Sequence, residues 1–251
     1  MNSKERFSDR VDDYVKYRPS YPKEALDYLY DTVGIRPESE VADIGAGTGI
    51  FTQLLLERGT GVIAVEPNSA MRGAAGRMLA NYEKLRLVPG SAEETGLPDR
   101  SVDAIVSAQA FHWFDRAKAR PEFRRILRPT GKVALIWNVR LEEGTPFREQ
   151  YEQLLRTYGT DYVIVSQRNM VHEELRTFFE ENTMQEARFV MQQQFDFEGL
   201  KGRLLSSSYA PKPGHPNHEP MIAALQSMFE KHNEDGQVTI DYETAIYWGQ
   251  V

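Results

Sequence analysis

In the stretch VADIGAGTGIF, residues 41–51, an apolar run reaches Asp43 and then breaks into glycines at 45, 47 and 49. Glycines spaced in this way let a ligand approach the main chain where a strand hands over to a helix. The turn has three readings. A dinucleotide requires G-x-G-x-x-G, with its pyrophosphate on the helix N-terminus. Here the third glycine comes one residue early, and Ile50 occupies the position where it belongs. A carboxylate two residues before the first glycine disfavours a pyrophosphate and suits an ammonium group. The third reading is a turn that only packs a helix against a strand.

Glu66 follows the apolar run GVIAV at 61–65, about twenty residues past the glycines. An acid placed there accepts two hydrogen bonds from vicinal ribose hydroxyls, which identifies a nucleoside without identifying the cofactor. Ala92 and Glu93, in GSAEETGLP, offer a small residue to pass under an adenine ring and a polar group to meet its exocyclic amine. SAQAFHWFD, residues 107–115, ends another apolar run in unusually dense aromatic residues. It would set Gln109, Ala110, Phe111, His112 and Trp113 against the ligand. His112 has a reference pKa that suits a general base, and orienting a substrate or loop is its other role. His215 and His218 have a chelating spacing, but a Pro/Gly loop with no third ligand reads as plain loop, so no metal site is expected.

The elements that position these residues alternate strand and helix. Short apolar runs at 40–44, 61–66, 85–90, 102–108 and 132–138 read as strands. The segments between them carry helical apolar faces, such as Phe51, Leu54, Leu55 and Leu56. This alternation predicts a doubly wound α/β fold of parallel strands with helices on both faces. Right-handed crossovers then bring every strand's C-terminal end to one edge, where ligands of such sheets bind. After residue 140 the pattern turns helical. Strand-like alternation returns at 187–197 and again near the C-terminus, where Val238, Ile240, Tyr242, Thr244, Ile246 and Trp248 share a face.

The chain divides into an N-terminal helical segment (1–39), a cofactor-binding core (40–140), a helical cap (141–185) and a C-terminal part (186–251) that completes the sheet and the acceptor pocket. All belong to a single domain, as 251 residues allow. The absence of cysteine removes disulfide, thiolate-zinc and iron–sulfur frameworks and suits a reducing compartment. The polar start and the lack of a long apolar run lead us to expect a cytoplasmic protein with no membrane span. A formal charge of −7, without a basic stripe, argues against a nucleic-acid partner and for a small molecule.

VADIGAGTG, VIAVEPN, GSAEETGLP, VDAIVSAQAFHWFD and RILRPTGKVALIWN, in that order, resemble the class I S-adenosylmethionine-dependent methyltransferases. The resemblance is to the small-molecule branch that includes trans-aconitate methyltransferase-like and ubiquinone/menaquinone C-methyltransferase-like proteins. YVKYRPSYP and the terminal YETAIYWGQ are similar to one subgroup of it. The resemblance implies a seven-stranded sheet whose last strand inserts antiparallel, with S-adenosylmethionine as cofactor and S-adenosylhomocysteine as product. It places Asp43, Gly45 and Gly47 at the methionine end, Glu66 at the ribose, Ala92 and Glu93 at the adenine, and Gln109 near the sulfonium. Tyr14 and Arg18 would close over the cofactor, with Arg18 meeting its carboxylate. Ala46, Pro67, Met71 and Ala110 complete the expected cofactor set.

The reaction expected is methyl transfer to a small-molecule acceptor by in-line attack on the sulfonium methyl. Phe111, Trp113, Arg140, Ser206 and Ser208 are the expected acceptor-pocket residues, and a polyacid acceptor would draw on Lys16, Arg18 and Arg140. Two other functions stand beside this one. A nicotinamide-dependent oxidoreductase is disfavoured by Ile50 and by the lack of a Tyr-x-x-x-Lys motif. A non-catalytic S-adenosylmethionine sensor would share every cofactor residue.

Overall fold

A computed structural model describes residues 17–162, 172–181 and 183–251. Seven strands form one sheet in the order β3-β2-β1-β4-β5-β7-β6. They are β1 (Glu40–Ile44), β2 (Gly61–Val65), β3 (Leu85–Val88), β4 (Val102–Ala108), β5 (Leu127–Arg140), β6 (Gln185–Phe195) and β7 (Val238–Gly249). β1 to β5 pair in parallel. β7 inserts antiparallel between β5 and β6. This is the Rossmann-like methyltransferase architecture expected from the resemblance.

The helices are α1 (Lys23–Tyr28), α2 (Ile50–Glu57), α3 (Ser69–Met78), α4 (Arg116–Ile126), α5 (Pro146–Tyr158), α6 (His172–Phe178), α7 (Phe197–Leu205) and α8 (His218–His232). α1 runs on into a wider turn at Leu29–Val33, closed by Gly34 in the left-handed conformation. The two-residue period of the strands sorts the core onto both faces of the sheet. Ala42, Ile44, Ile63 and Val65 point into one cluster, which also contains Phe111, Phe123 and Trp137. Val41, Val62, Ala104 and Val106 point into the other, against α1 and α2. Central strands covered on both faces must be apolar throughout, as their sequences are.

The described residues between 141 and 185 pack in two places. Phe147, Tyr151, Leu154, Leu155 and Tyr162 join a third cluster with α7, α8 and Val238, Ile240 and Tyr242 of β7. Leu175, Phe178 and Phe179 instead pack with Phe111 and Phe123 in the first. Among the described residues, no helix is long and apolar enough to cross a membrane.

Candidate functional site

The C-terminal ends of β1, β2, β4 and β5 open onto a cavity of about 220 Å³. It runs from Glu66 and Asn68, past Gly45 and Gln109, to Arg140, Arg203 and Tyr242. A smaller pocket beside it contains Asp43, Ala46 and Thr48, and shares Gly45, Gly47 and Arg18 with it. Strands lie about 4.8 Å apart, so the edge from β2 to β7 spans roughly 19 Å.

The glycine turn is held from both sides. Gly45 and Ala46 donate their backbone N–H groups to the Val65 carbonyl at 2.8 and 3.2 Å. Gly47 donates to Glu66 Oε2 at 2.9 Å. Gly45 has φ +74°, and a Cβ there would lie 2.5 Å from the Ala110 Cβ, so only glycine fits. Gly49 has φ +87°, with Leu79 Cδ1 2.7 Å from where its Cβ would be. The third glycine therefore serves helix packing, while the first two bring the main chain up to the cavity.

Asp43 is buried at the end of β1 and accepts a hydrogen bond from Thr52 Oγ1 at 2.6 Å. Its Oδ1 has no hydrogen-bond partner among the described residues. Burial pushes its carboxyl up to about 7; the Thr52 bond pulls against this, and the charge of Glu66 adds to it. Such an orphaned acceptor fits a cationic donor such as an ammonium group, which would satisfy it on binding. Glu66, also buried, accepts from the Asn68 backbone N–H through Oε1 at 2.8 Å. Burial raises its pKa, and the two backbone donors, Asn68 and Gly47, pull it back. Asn68 in turn caps α3, its Oδ1 accepting from Ala70 and Met71 N–H at 3.0 Å each.

Ala92 is buried on the cavity wall beside Glu93, whose Oε1 accepts from the Asp115 N–H at 2.9 Å. Gln109 is a non-glycine residue at φ +61°. It is held there by its N–H on the Ile136 carbonyl and its Nε2 on the Asn138 carbonyl. Strained backbone of this kind collects at functional sites. Asn138 ties the rim together: Nδ2 donates to the Ser20 carbonyl at 2.8 Å and Oδ1 accepts from Thr244 Oγ1 at 2.6 Å.

Pro67, Met71, Ala110, His112, Trp113, Arg140, Ser208 and Arg18 all line the main cavity. Arg18 also donates to the Ser206 carbonyl at 3.1 Å, joining the N-terminal segment to the end of α7. Tyr14 and Lys16 lie outside the described residues.

Two expected acceptor residues do not face the cavity. Phe111 is fully buried, edge-on to Phe178 (4.6 Å between ring centres) and Trp137 (6.1 Å). The single helical turn Phe111–Trp113 sends its first ring into the core, while His112 and Trp113 line the cavity. Ser206 is fully buried, its hydroxyl donating to the Arg203 carbonyl at 2.7 Å. Arg140 does line the cavity, but its charge is met by Glu152 and Glu142. Unforeseen in the sequence were Arg203, Tyr162 and Tyr242, which build the far end of the cavity with Tyr209 of the SSSY stretch. Arg203 sits on the buried face of α7 with Leu200 and Leu204, and a cation at that spacing among leucines was the available signal.

The sheet order, the glycine turn and the two acids together make up the segment that the comparisons match. Residues 42–135 match the family model described as a methyltransferase domain. The orphaned Asp43 oxygen lies inside this matched segment and fits a cationic group. An uncharacterised methyltransferase of Mycobacterium bovis is 46% identical over 136 residues, 54% of this chain and 53% of the relative. The chain thus spans about half the length of that relative. Among solved structures, a candidate type II methyltransferase from Anaeromyxobacter dehalogenans superposes with a TM-score of 0.69 at 22% identity, covering 93% of this chain and 98% of the other. A candidate S-adenosyl-L-methionine-dependent methyltransferase from Methanococcus maripaludis gives a TM-score of 0.54 at 23% identity, covering 71% and 84%. These two likenesses speak for the fold.

Proposed function

We propose that the protein transfers a methyl group from S-adenosylmethionine to a small-molecule acceptor. The observation that carries this reading is the cavity that runs from Glu66 after β2 to Arg140 of β5 and Tyr242 of β7, with a smaller pocket at Asp43 sharing Gly45 and Gly47 with it. In this reading Asp43 and the main chain at Gly45 and Gly47 hold the amino-acid end of the cofactor. Glu66 accepts from the ribose hydroxyls, Ala92 and Glu93 border the adenine, and Arg18 meets the carboxylate.

The cofactor supplies a methyl group on a cationic sulfur. A nucleophilic atom of the acceptor forms a bond to that carbon as the carbon–sulfur bond breaks, and the released electron pair stays on sulfur. The chain's own task is alignment, which in the best cases is worth about 7–11 kcal/mol. His112, at the cavity wall, removes the acceptor's proton where one must leave, or orients the acceptor by a hydrogen bond. Trp113 offers an aromatic face to the sulfonium. A chain without cysteine fits a reducing compartment such as the cytoplasm.

Calorimetric titration with S-adenosylhomocysteine, beside NAD, tests the reading. Micromolar binding of the first and none of the second supports it. The reverse result would return the nicotinamide reading. Binding of S-adenosylhomocysteine with no methyl transfer to any acceptor would favour a sensor.

A further inference from the structure

Among the described residues, the buried cation Arg203 has only neutral partners, the Tyr242 ring lying 5.9 Å from its guanidinium carbon. It lies on the far wall of the cavity, and its side chain is only 7% exposed. Its Nε donates to Tyr242 Oη at 3.0 Å and its Nη1 to Ser207 Oγ at 3.0 Å. Nη2 has no hydrogen-bond partner, and no carboxylate pairs with the guanidinium, among the described residues. The neighbouring cations differ. Arg140 pairs with Glu152 and Glu142, Arg156 with Glu152, and Arg148 with Asp241. Removing a cation from water without a counter-charge costs several kcal/mol, so a side chain kept in this state is poised to receive an anion.

The surrounding residues narrow the class of anion. The two contacts already made leave one hydrogen on Nη1 and both on Nη2, the edge that grips a carboxylate with two parallel bonds. Tyr162 and Tyr209, whose rings meet at 4.9 Å, line the same cavity as Ser208, with the Tyr162 hydroxyl donating to Glu152 Oε2 at 2.6 Å. A phosphate monoester brings about −1.5 to −2 charges at neutral pH, more than one free guanidinium neutralises. A carboxylate brings one. Arg18, proposed for the cofactor's own carboxylate, lines the same cavity and donates to the Ser206 carbonyl at 3.1 Å. Arg18 is also shared with the pocket of Asp43, whereas Arg203 lines the main cavity only and bonds Tyr242 of β7.

We infer that Arg203 is the anchor for a carboxylate on the methyl acceptor, which makes the acceptor a small carboxylic acid with a partly aromatic or apolar body. The inference rests on the methyl-transfer reading, with the acceptor bound between Arg203 and the cofactor's sulfur. Helix α7 provides the rigidity. Asp196 caps its start by accepting from the Gly199 N–H at 2.8 Å, and Leu200 and Leu204 fix its rotation in the core.

The test uses the full chain saturated with S-adenosylhomocysteine, acetate as the probe, and the Arg203 Nε–H resonance as the readout. Arg203→Gln assigns that resonance by its loss, and Arg203→Lys does so if the glutamine variant does not fold. Acetate should shift the resonance saturably in the millimolar range, while acetamide and inorganic phosphate leave it in place. The assigning variant should keep its S-adenosylhomocysteine affinity within about twofold, since Arg203 is not a cofactor residue. An equal response to acetamide, or no saturable response to acetate, overturns the inference, as does a response to phosphate in place of acetate. Failure of S-adenosylhomocysteine to bind the wild-type chain would instead remove the methyl-transfer reading itself.

Discussion

The backbone N–H of Gly47 donates to Glu66 Oε2 at 2.9 Å, so the acid that ends β2 also holds the glycine turn that follows β1. The two motifs, nineteen residues apart, form one device. Glu66→Ala therefore removes a ligand contact and a support of the turn together. Affinity for S-adenosylhomocysteine should fall by about 1.5–3 kcal/mol, the worth of a hydrogen bond to a charged group. Calorimetry on the folded variant checks this, and an unchanged dissociation constant would take Glu66 out of the site.

The pH dependence of binding follows from Asp43. In the ligand-free protein its carboxyl titrates near 7, while its ordinary value is 3.8. The folded protein thus holds a proton that the unfolded chain has released between these values. The associated stability is complete below about 4 and is lost as the pH rises through about 7. Binding an ammonium group requires the carboxylate, so affinity for S-adenosylhomocysteine should drop toward tenfold per unit as the pH falls below about 7. Titrations at three pH values in buffers of different ionisation heat would show the proton release. A flat profile, with no proton released, would mean that Asp43 does not meet a cation.

Gly45→Ala combines a left-handed backbone with a Cβ 2.5 Å from that of Ala110. Strain of this kind costs about 1–3 kcal/mol. Thermal unfolding should show that loss, together with weakened cofactor binding. Gly214→Ala has a positive φ but open space around its Cβ, and it should carry the backbone penalty alone, leaving binding intact.

His112 and Phe111 are adjacent in sequence and should behave in opposite ways. His112→Ala should lower kcat while S-adenosylhomocysteine affinity stays nearly constant. A loss of affinity instead would make His112 a binding residue. Phe111→Ala empties a fully buried aromatic site and should cost about 3–5 kcal/mol of stability. Denaturant unfolding separates the two outcomes.

These contrasts show which features were legible in the sequence. The strands of the parallel half could be read because buried strands are apolar throughout and the glycine turn follows directly after Asp43. β4 falls at 102–108, as the pattern VDAIVSA predicts. The antiparallel insertion of β7 came from the family resemblance, since periodicity carries no information about pairing direction. Phe111 was misplaced because a three-residue turn has no period from which to tell which ring faces inward. Arg203 went unnoticed because GLKGRLL looks like an ordinary amphipathic helix. Its spacing from Leu200 and Leu204 was the one hint, and their packing in the core bears it out. The far end of the cavity is assembled from β5, α7, β7 and the residues Tyr162 and Tyr209, and no local motif announces such a long-range meeting.

The central claim is that cofactor and acceptor occupy opposite ends of one cavity. A crystal structure of the S-adenosylhomocysteine complex tests it most directly. The account predicts the ribose hydroxyls on the Glu66 carboxylate, the ammonium at Asp43, and the sulfur facing the compartment of Arg203 and Tyr242. A ligand whose sulfur faces away from that compartment, or whose adenosyl group lies elsewhere on the protein, would contradict it.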